Sequence, residues 1–120
     1  MSRKFALEKR TIENSNYRKV VQTTPQMQLV LMCLPPGDFI PRERHPRTTQ
    51  FIRVEQGEVQ ITVGESKKIL RDGDSILIPP KTWHQVENKS KEDVMLYTLY
   101  SPPEHPDSLV QPVNPHKHKQ

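Results

Sequence analysis

Apolar and polar residues alternate with a period of two through the middle of the chain, and that period predicts strands. Gln50, Ile52 and Val54 fall on one face of a segment whose other face carries Phe51, Arg53 and Glu55. Val59, Ile61 and Val63 likewise oppose Gln60 and Thr62. Together with β-branched content, the alternation predicts strands over 27–34, 49–55, 59–63, 67–71, 75–78, 84–88 and 94–100, and a shorter one over 17–21. Turn signals separate them: Pro35-Pro36-Gly37-Asp38, Gln56-Gly57, Gly64-Glu65-Ser66, Asp72-Gly73-Asp74, Pro79-Pro80-Lys81 and Asn88-Lys89-Ser90. No segment has convincing helical periodicity. Short strands at this spacing predict an all-β, antiparallel barrel or sandwich with little or no helix.

Parity along those strands also sorts the polar residues. Gln50 shares the apolar face of Ile52 and Val54, His84 shares a face with Val86 and Asn88, and Glu43 shares parity with His45. Four polar groups are therefore expected to point inward. Burying a carboxylate, an amide and two imidazoles without partners would cost several kcal/mol, and a cation would offset that cost. A metal-free hydrogen-bonded network among the same four groups is the alternative.

At 120 residues the chain has room for one core and no second domain. Its net charge of +4 is concentrated near the start, where residues 1–20 carry six Lys or Arg against Glu8 and Glu13. The remainder is balanced, which argues against a polyanion-binding field and makes nucleic acid an unlikely partner. The single Cys33 has no partner for an intramolecular disulfide and lies in the apolar run 29–34, where it reads as core rather than nucleophile. The charged N-terminus resembles no signal peptide and no apolar stretch is long enough to span a membrane, so a soluble, cytoplasmic protein is expected.

Two blocks carry the chemistry. The first reads G-x5-E-x-H-x4-Q-x6-G from Gly37 through Glu43, His45 and Gln50 to Gly57; the second reads G-x5-P-x-K-x2-H-x3-N from Gly73 through Pro79, Lys81 and His84 to Asn88. They resemble the paired motifs of the cupin superfamily, G-x5-H-x-H-x3-4-E-x6-G and G-x5-P-x-G-x2-H-x3-N. The strings TTQFIRVEQGE, IPPKTWH and YTLYSPPEHP look like those of small single-domain cupins. Three departures stand out: Glu43 occupies the place of the first His, Gln50 that of the Glu, and Lys81 that of the glycine in the second motif.

The resemblance implies a double-stranded β-helix, or jelly-roll barrel, over residues 25–103. It leaves 1–24 as a basic arm with a first strand and 104–120 as a Pro-rich extended tail. It also implies one divalent ion, Zn, Mn, Fe, Ni or Cu, on Glu43, His45, Gln50 and His84, a donor set that suits any of these metals. Gln50, the weakest donor, could instead orient a water or an imidazole from behind. Small cupins generally pair, so a homodimer is expected, with the N-terminal arm and strand 17–21 as the exchanged piece.

Cupin activities include sugar-phosphate isomerisation or epimerisation, dioxygenation and carboxylate chemistry, and no second signature here selects among them. No acid or base accompanies the ligands at a motif-fixed spacing, so catalytic residues are not assigned. A noncatalytic barrel used for binding, sensing or assembly is the competing expectation. Arg42, Arg44 and Arg47 surround the ligand segment and could draw an anionic small molecule to the barrel mouth, although solvent-facing charge explains them more simply. Trp83, Tyr97 and Tyr100 read as packing groups, His105 as a tail residue on the barrel, and His116 and His118 as solvated.

Overall fold

The alternation closes into two facing antiparallel sheets in the computed structural model, which describes residues 2–118 and, at His118, the backbone only. Met1, Lys119, Gln120 and the His118 side chain lie outside the described residues, so the extremities of the expected arm and tail do too. One sheet contains β1 (Arg18–Thr23), β2 (Gln28–Leu34), β4 (Thr49–Gln56), β7 (Ser75–Ile78), β9 (Val94–Ser101) and β10 (Val110–Gln111), in the order β10-β1-β2-β9-β4-β7. The other contains β3 (Phe39–Glu43), β5 (Val59–Val63), β6 (Ser66–Leu70) and β8 (His84–Glu87), in the order β3-β8-β5-β6. This is the all-β antiparallel architecture that the strand spacing predicts, in the jelly-roll form that the resemblance implies.

Between the sheets lies the core, which includes Val30, Met32, Leu34, Ile40, Ile52, Val54, Ile61, Val86, Leu96 and Tyr100. Every residue of β2 is buried. Its inner face meets that core, while Leu29 and Leu31 on the outer face join Tyr97, Phe51, Leu99, Phe5 and Leu7 in a second apolar cluster. Coverage on both faces explains why 29–34 reads as an unbroken apolar run rather than an alternating one.

Four elements depart from the sequence expectation, one of them a 3-10 helix over Pro115–His118 in the tail expected to be extended. A helix, α1 (Leu7–Glu13), packs on the outside of β4 and β9 although no helical period marks it. Seven residues span only two turns, too few for a period to register; the contacts of Phe5 and Leu7 stabilise it where propensity alone would not. Strand β3 is also unanticipated, because Pro41 and Arg42 interrupt its alternation. The short β10 pairs with β1 through Arg18↔Gln111 and Lys19↔Val110.

The motif residues that are not candidate ligands have identifiable structural work. Gly57 has φ +106°, and a Cβ there would lie 2.8 Å from the Asp93 carbonyl oxygen and 2.9 Å from Val94 Cγ2. Only glycine fits that position. Asn88 is buried and donates from Nδ2 to the carbonyls of Leu34 and Glu92, tying the end of β8 to the end of β2. Lys81 adopts the left-handed conformation that the motif's usual glycine would take, with φ 67°, and its N–H donates to the His45 carbonyl at 2.7 Å. The tight turn thus survives the substitution and braces the loop that carries His45.

Candidate metal centre

A one-residue bulge in β3 aims the carboxylate. Ile40 pairs with Val86, but the register slips before Glu43, which then sits opposite His84. Bulges re-aim side chains in this way, so Ile40 and Glu43 can both face inward despite opposite parity. His84 begins β8, the strand between β3 and β5, and its side chain is buried. His45 follows β3 by two residues, held by the Lys81 hydrogen bond. Gln50 comes from the facing sheet, where its β4 position pairs with Tyr100 of β9.

Glu43, His45 and His84 form a cluster that could hold a metal ion: one donor atom from each lies within 4.8 Å of the other two. Glu43 Oε1 is 3.3 Å from His45 Nε2 and 3.6 Å from His84 Nε2. Those two nitrogens are buried without a well-formed hydrogen bond, and so is Gln50 Oε1. The Gln50 amide nitrogen faces Thr98 Oγ1 at 3.2 Å and the Tyr100 hydroxyl at 3.4 Å, which leaves the oxygen free as the acceptor end. Buried polar atoms are rarely left unpaired, so the two imidazole nitrogens beside Glu43 are candidate ligand atoms.

The opposite edge of each imidazole is anchored. His84 Nδ1 lies 2.9 Å from the Thr82 carbonyl oxygen, which can only accept, so Nδ1 carries the proton and Nε2 is free to donate electrons. His45 Nδ1 lies 3.3 Å from Glu104 Oε2, and Thr48 Oγ1 donates to the other oxygen of Glu104 at 2.6 Å. Such anchoring by a carbonyl or carboxylate fixes the tautomer that a metal-binding histidine needs.

Electrostatics favour positive charge at this point. Burial pushes the Glu43 carboxyl up, but the close approach of His45 and His84 outweighs it and holds the pKa at about 2. Glu43 beside His45 raises the imidazole's pKa, against the opposing effect of burial.

Several participants are illegible in the sequence. Glu104 and His105 follow β9, where Gln28 clamps their backbone: its Oε1 accepts from both N–H groups, and its Nε2 donates to the His105 carbonyl at 2.8 Å. Tyr100 is fully buried with its ring 5.9 Å from His45 and 5.1 Å from His105. His105 Nε2 is buried without a partner, and burial, reinforced by the Arg18 charge, lowers its pKa to about 4.

Other candidates fall outside the cluster. Arg42 and Arg44 stack on the half-exposed Trp83 ring, 4.3 and 5.0 Å from its centroid. Cys33 is buried, and burial raises its pKa to about 11, as expected of an inert core thiol. Cavities of about 430 and 390 Å³ open beside Gly37–Ser90 and Gln56–Met95, and neither is lined by the four candidate ligands. Among the described residues, no helix is long and apolar enough to cross a membrane.

A jelly-roll barrel with a His–His–carboxylate cluster at one end defines the class. The family model described as a cupin domain matches residues 30–100, and the chain belongs to that family. It is 43% identical over 104 residues to protein L612 of Acanthamoeba polyphaga mimivirus, covering 83% of this chain and 65% of that protein. Protein YrkC of Bacillus subtilis is 36% identical over 110 residues, covering 87% of this chain. The chain therefore spans 65% and 59% of the length of these two relatives. Among solved structures, BH2720 from Bacillus halodurans superposes with a TM-score of 0.91 at 32% identity, covering 93% of this chain and 89% of its own.

Proposed function

We propose that this cupin holds one divalent metal ion on Glu43, His45, Gln50 and His84 and uses it on a small-molecule substrate. The observation that carries the reading is the approach of two buried imidazole nitrogens, His45 Nε2 and His84 Nε2, to the Glu43 carboxylate, with the buried and unpartnered Gln50 Oε1 supplied from the facing sheet. Two imidazoles, a carboxylate and an amide oxygen fit Zn, Mn, Fe, Ni or Cu and leave coordination positions open on an ion that prefers six. A bound ion would supply Lewis acidity, an acidic water or, if redox-active, a dioxygen site. The chain's own groups orient and enclose: Thr82 and Glu104 fix the imidazoles, while Tyr100 and His105 wall the interior side. Glu43 and Glu104, with side chains 28% and 26% exposed, mark the way in from solvent.

The position of these two cavities, away from this cluster, favours a second reading: a noncatalytic barrel used for binding, sensing or assembly, whose metal is structural. Thermal melts of the metal-loaded and chelator-stripped protein separate the two. A catalytic centre built into a complete core leaves the stripped barrel folded and cooperative; a structural ion makes stripping equivalent to unfolding, because its binding free energy is folding free energy. The chain also forms a homodimer in this proposal, which mass measurement in solution checks, a monomer being the contrary result.

A further inference from the structure

One charged side chain inside the barrel has no counter-charge. Arg18 belongs to β1, on the same face as core residue Val20, and is only 6% exposed. Its Nη1 donates to Gln111 Oε1, a neutral amide; its Nε is buried with no partner, and among the described residues no carboxylate comes within ion-pair distance. The guanidinium also lies 5.1 Å from the centroid of the Tyr17 ring. A largely buried guanidinium with no anion beside it is costly, and its planar donors suit an oxyanion.

Its surroundings say which end of the barrel it serves. Tyr17, Tyr100 and His105 each feel both the Arg18 cation and the Glu43 carboxylate, so the two charges share one neighbourhood of these rings. His105 and Tyr100 stack edge to face at 5.1 Å, and the unpartnered Nε2 of His105 is a second hydrogen-bonding group in the same interior. Arg42 and Arg44, the arginines nearest the ligands in sequence, are occupied outside on Trp83.

We propose that Arg18 is the oxyanion-binding residue of the barrel interior, taking the carboxylate or phosphate group of a small molecule bordered by Tyr17, Tyr100 and His105. That the remainder of this molecule faces the metal rests on the function proposed above; the oxyanion site itself rests on Arg18 alone. Guanidinium presents paired N–H donors that match two oxygens of either group, which an ammonium does not.

The test is calorimetric titration of the full chain with inorganic phosphate and with succinate at constant ionic strength, both metal-loaded and chelator-stripped. Wild-type protein binds one or both saturably in either state, phosphate alone assigning phosphorylated ligands and succinate alone carboxylates. Arg18→Met, which keeps the apolar stem, weakens binding about tenfold or more, Arg18→Lys weakens it less, and Arg44→Met leaves it unchanged. Should Arg18→Met not fold, the wild-type melting temperature decides: a saturable rise with either anion supports the site. Absence of saturable binding and of that rise in wild type, or equal binding by Arg18→Met, overturns the oxyanion site whatever the metal content. Anion binding that survives in protein shown never to take up metal retains this site and removes the proposed metal function instead.

Discussion

Replacing Glu104 with alanine weakens metal binding without touching a metal ligand. Glu104 Oε2 lies 3.3 Å from His45 Nδ1, and its other oxygen is held by Thr48 at 2.6 Å, so the carboxylate is fixed rather than merely nearby. A hydrogen bond to a charged group contributes about 1.5–3 kcal/mol. The Glu104 side chain is 26% exposed, and discounting for solvent leaves about 1–1.5 kcal/mol, or roughly five- to tenfold in Kd. Stripped protein titrated with Zn²⁺ against a fluorescent competing chelator measures that change. Glu104→Gln, which keeps an acceptor but loses the charge, falls between wild type and alanine. Because Glu104 acts through His45, its removal has little further effect once His45 is alanine. Additive losses in the double variant, or an unchanged Kd in Glu104→Ala, would refute the reasoning.

Backbone and acid stability offer three more tests. Gly57→Ala forces a Cβ to within 2.8 Å of the Asp93 carbonyl at φ +106°, and overlap plus strain cost about 3 kcal/mol, a fall of roughly 10 °C in Tm by calorimetry. Lys81→Gly relieves the φ of 67° and raises stability by about 0.5–1 kcal/mol in urea unfolding, the relief exceeding the entropy that glycine adds to the unfolded chain. His105 has a folded pKa lowered to about 4, so between about 6.5 and that value the unfolded chain takes up a proton that the folded chain refuses. Its contribution to stability is therefore lost as pH falls through that window and recovered above it. His105→Gln flattens the wild-type decline between pH 7 and pH 4.5 in urea titrations of the stripped protein, and parallel declines would exclude His105 as its source.

Much of the fold was readable because the sheets obey one period. Gln50, Ile52 and Val54 are buried along β4, as are His84 and Val86 along β8, where alternation puts them. That reading stopped at the bulge in β3, where an extra residue inverts parity and Pro41 masks the strand; Glu43 was legible through its parity with His45 and through motif spacing, not as part of a strand. The supports of the site left no trace in the pattern. Glu104 reaches His45 because Gln28 pins a Pro-rich segment across the barrel, a contact between distant stretches that no local period encodes. Arg18 was counted only as part of a basic arm with a first strand, since charge composition does not distinguish an arginine facing water from one folded inward.

Metal stoichiometry tests the central claim most directly. Elemental analysis of protein made without a polyhistidine tag, paired with an anomalous difference map from its crystals, is expected to give about one divalent ion per chain. The peak falls between Glu43, His45, Gln50 and His84, and the ion is lost from His45→Ala and His84→Ala but retained by His116→Ala. Equal metal content in all three variants, or an anomalous peak elsewhere with the four side chains bonded only to one another, would contradict the account.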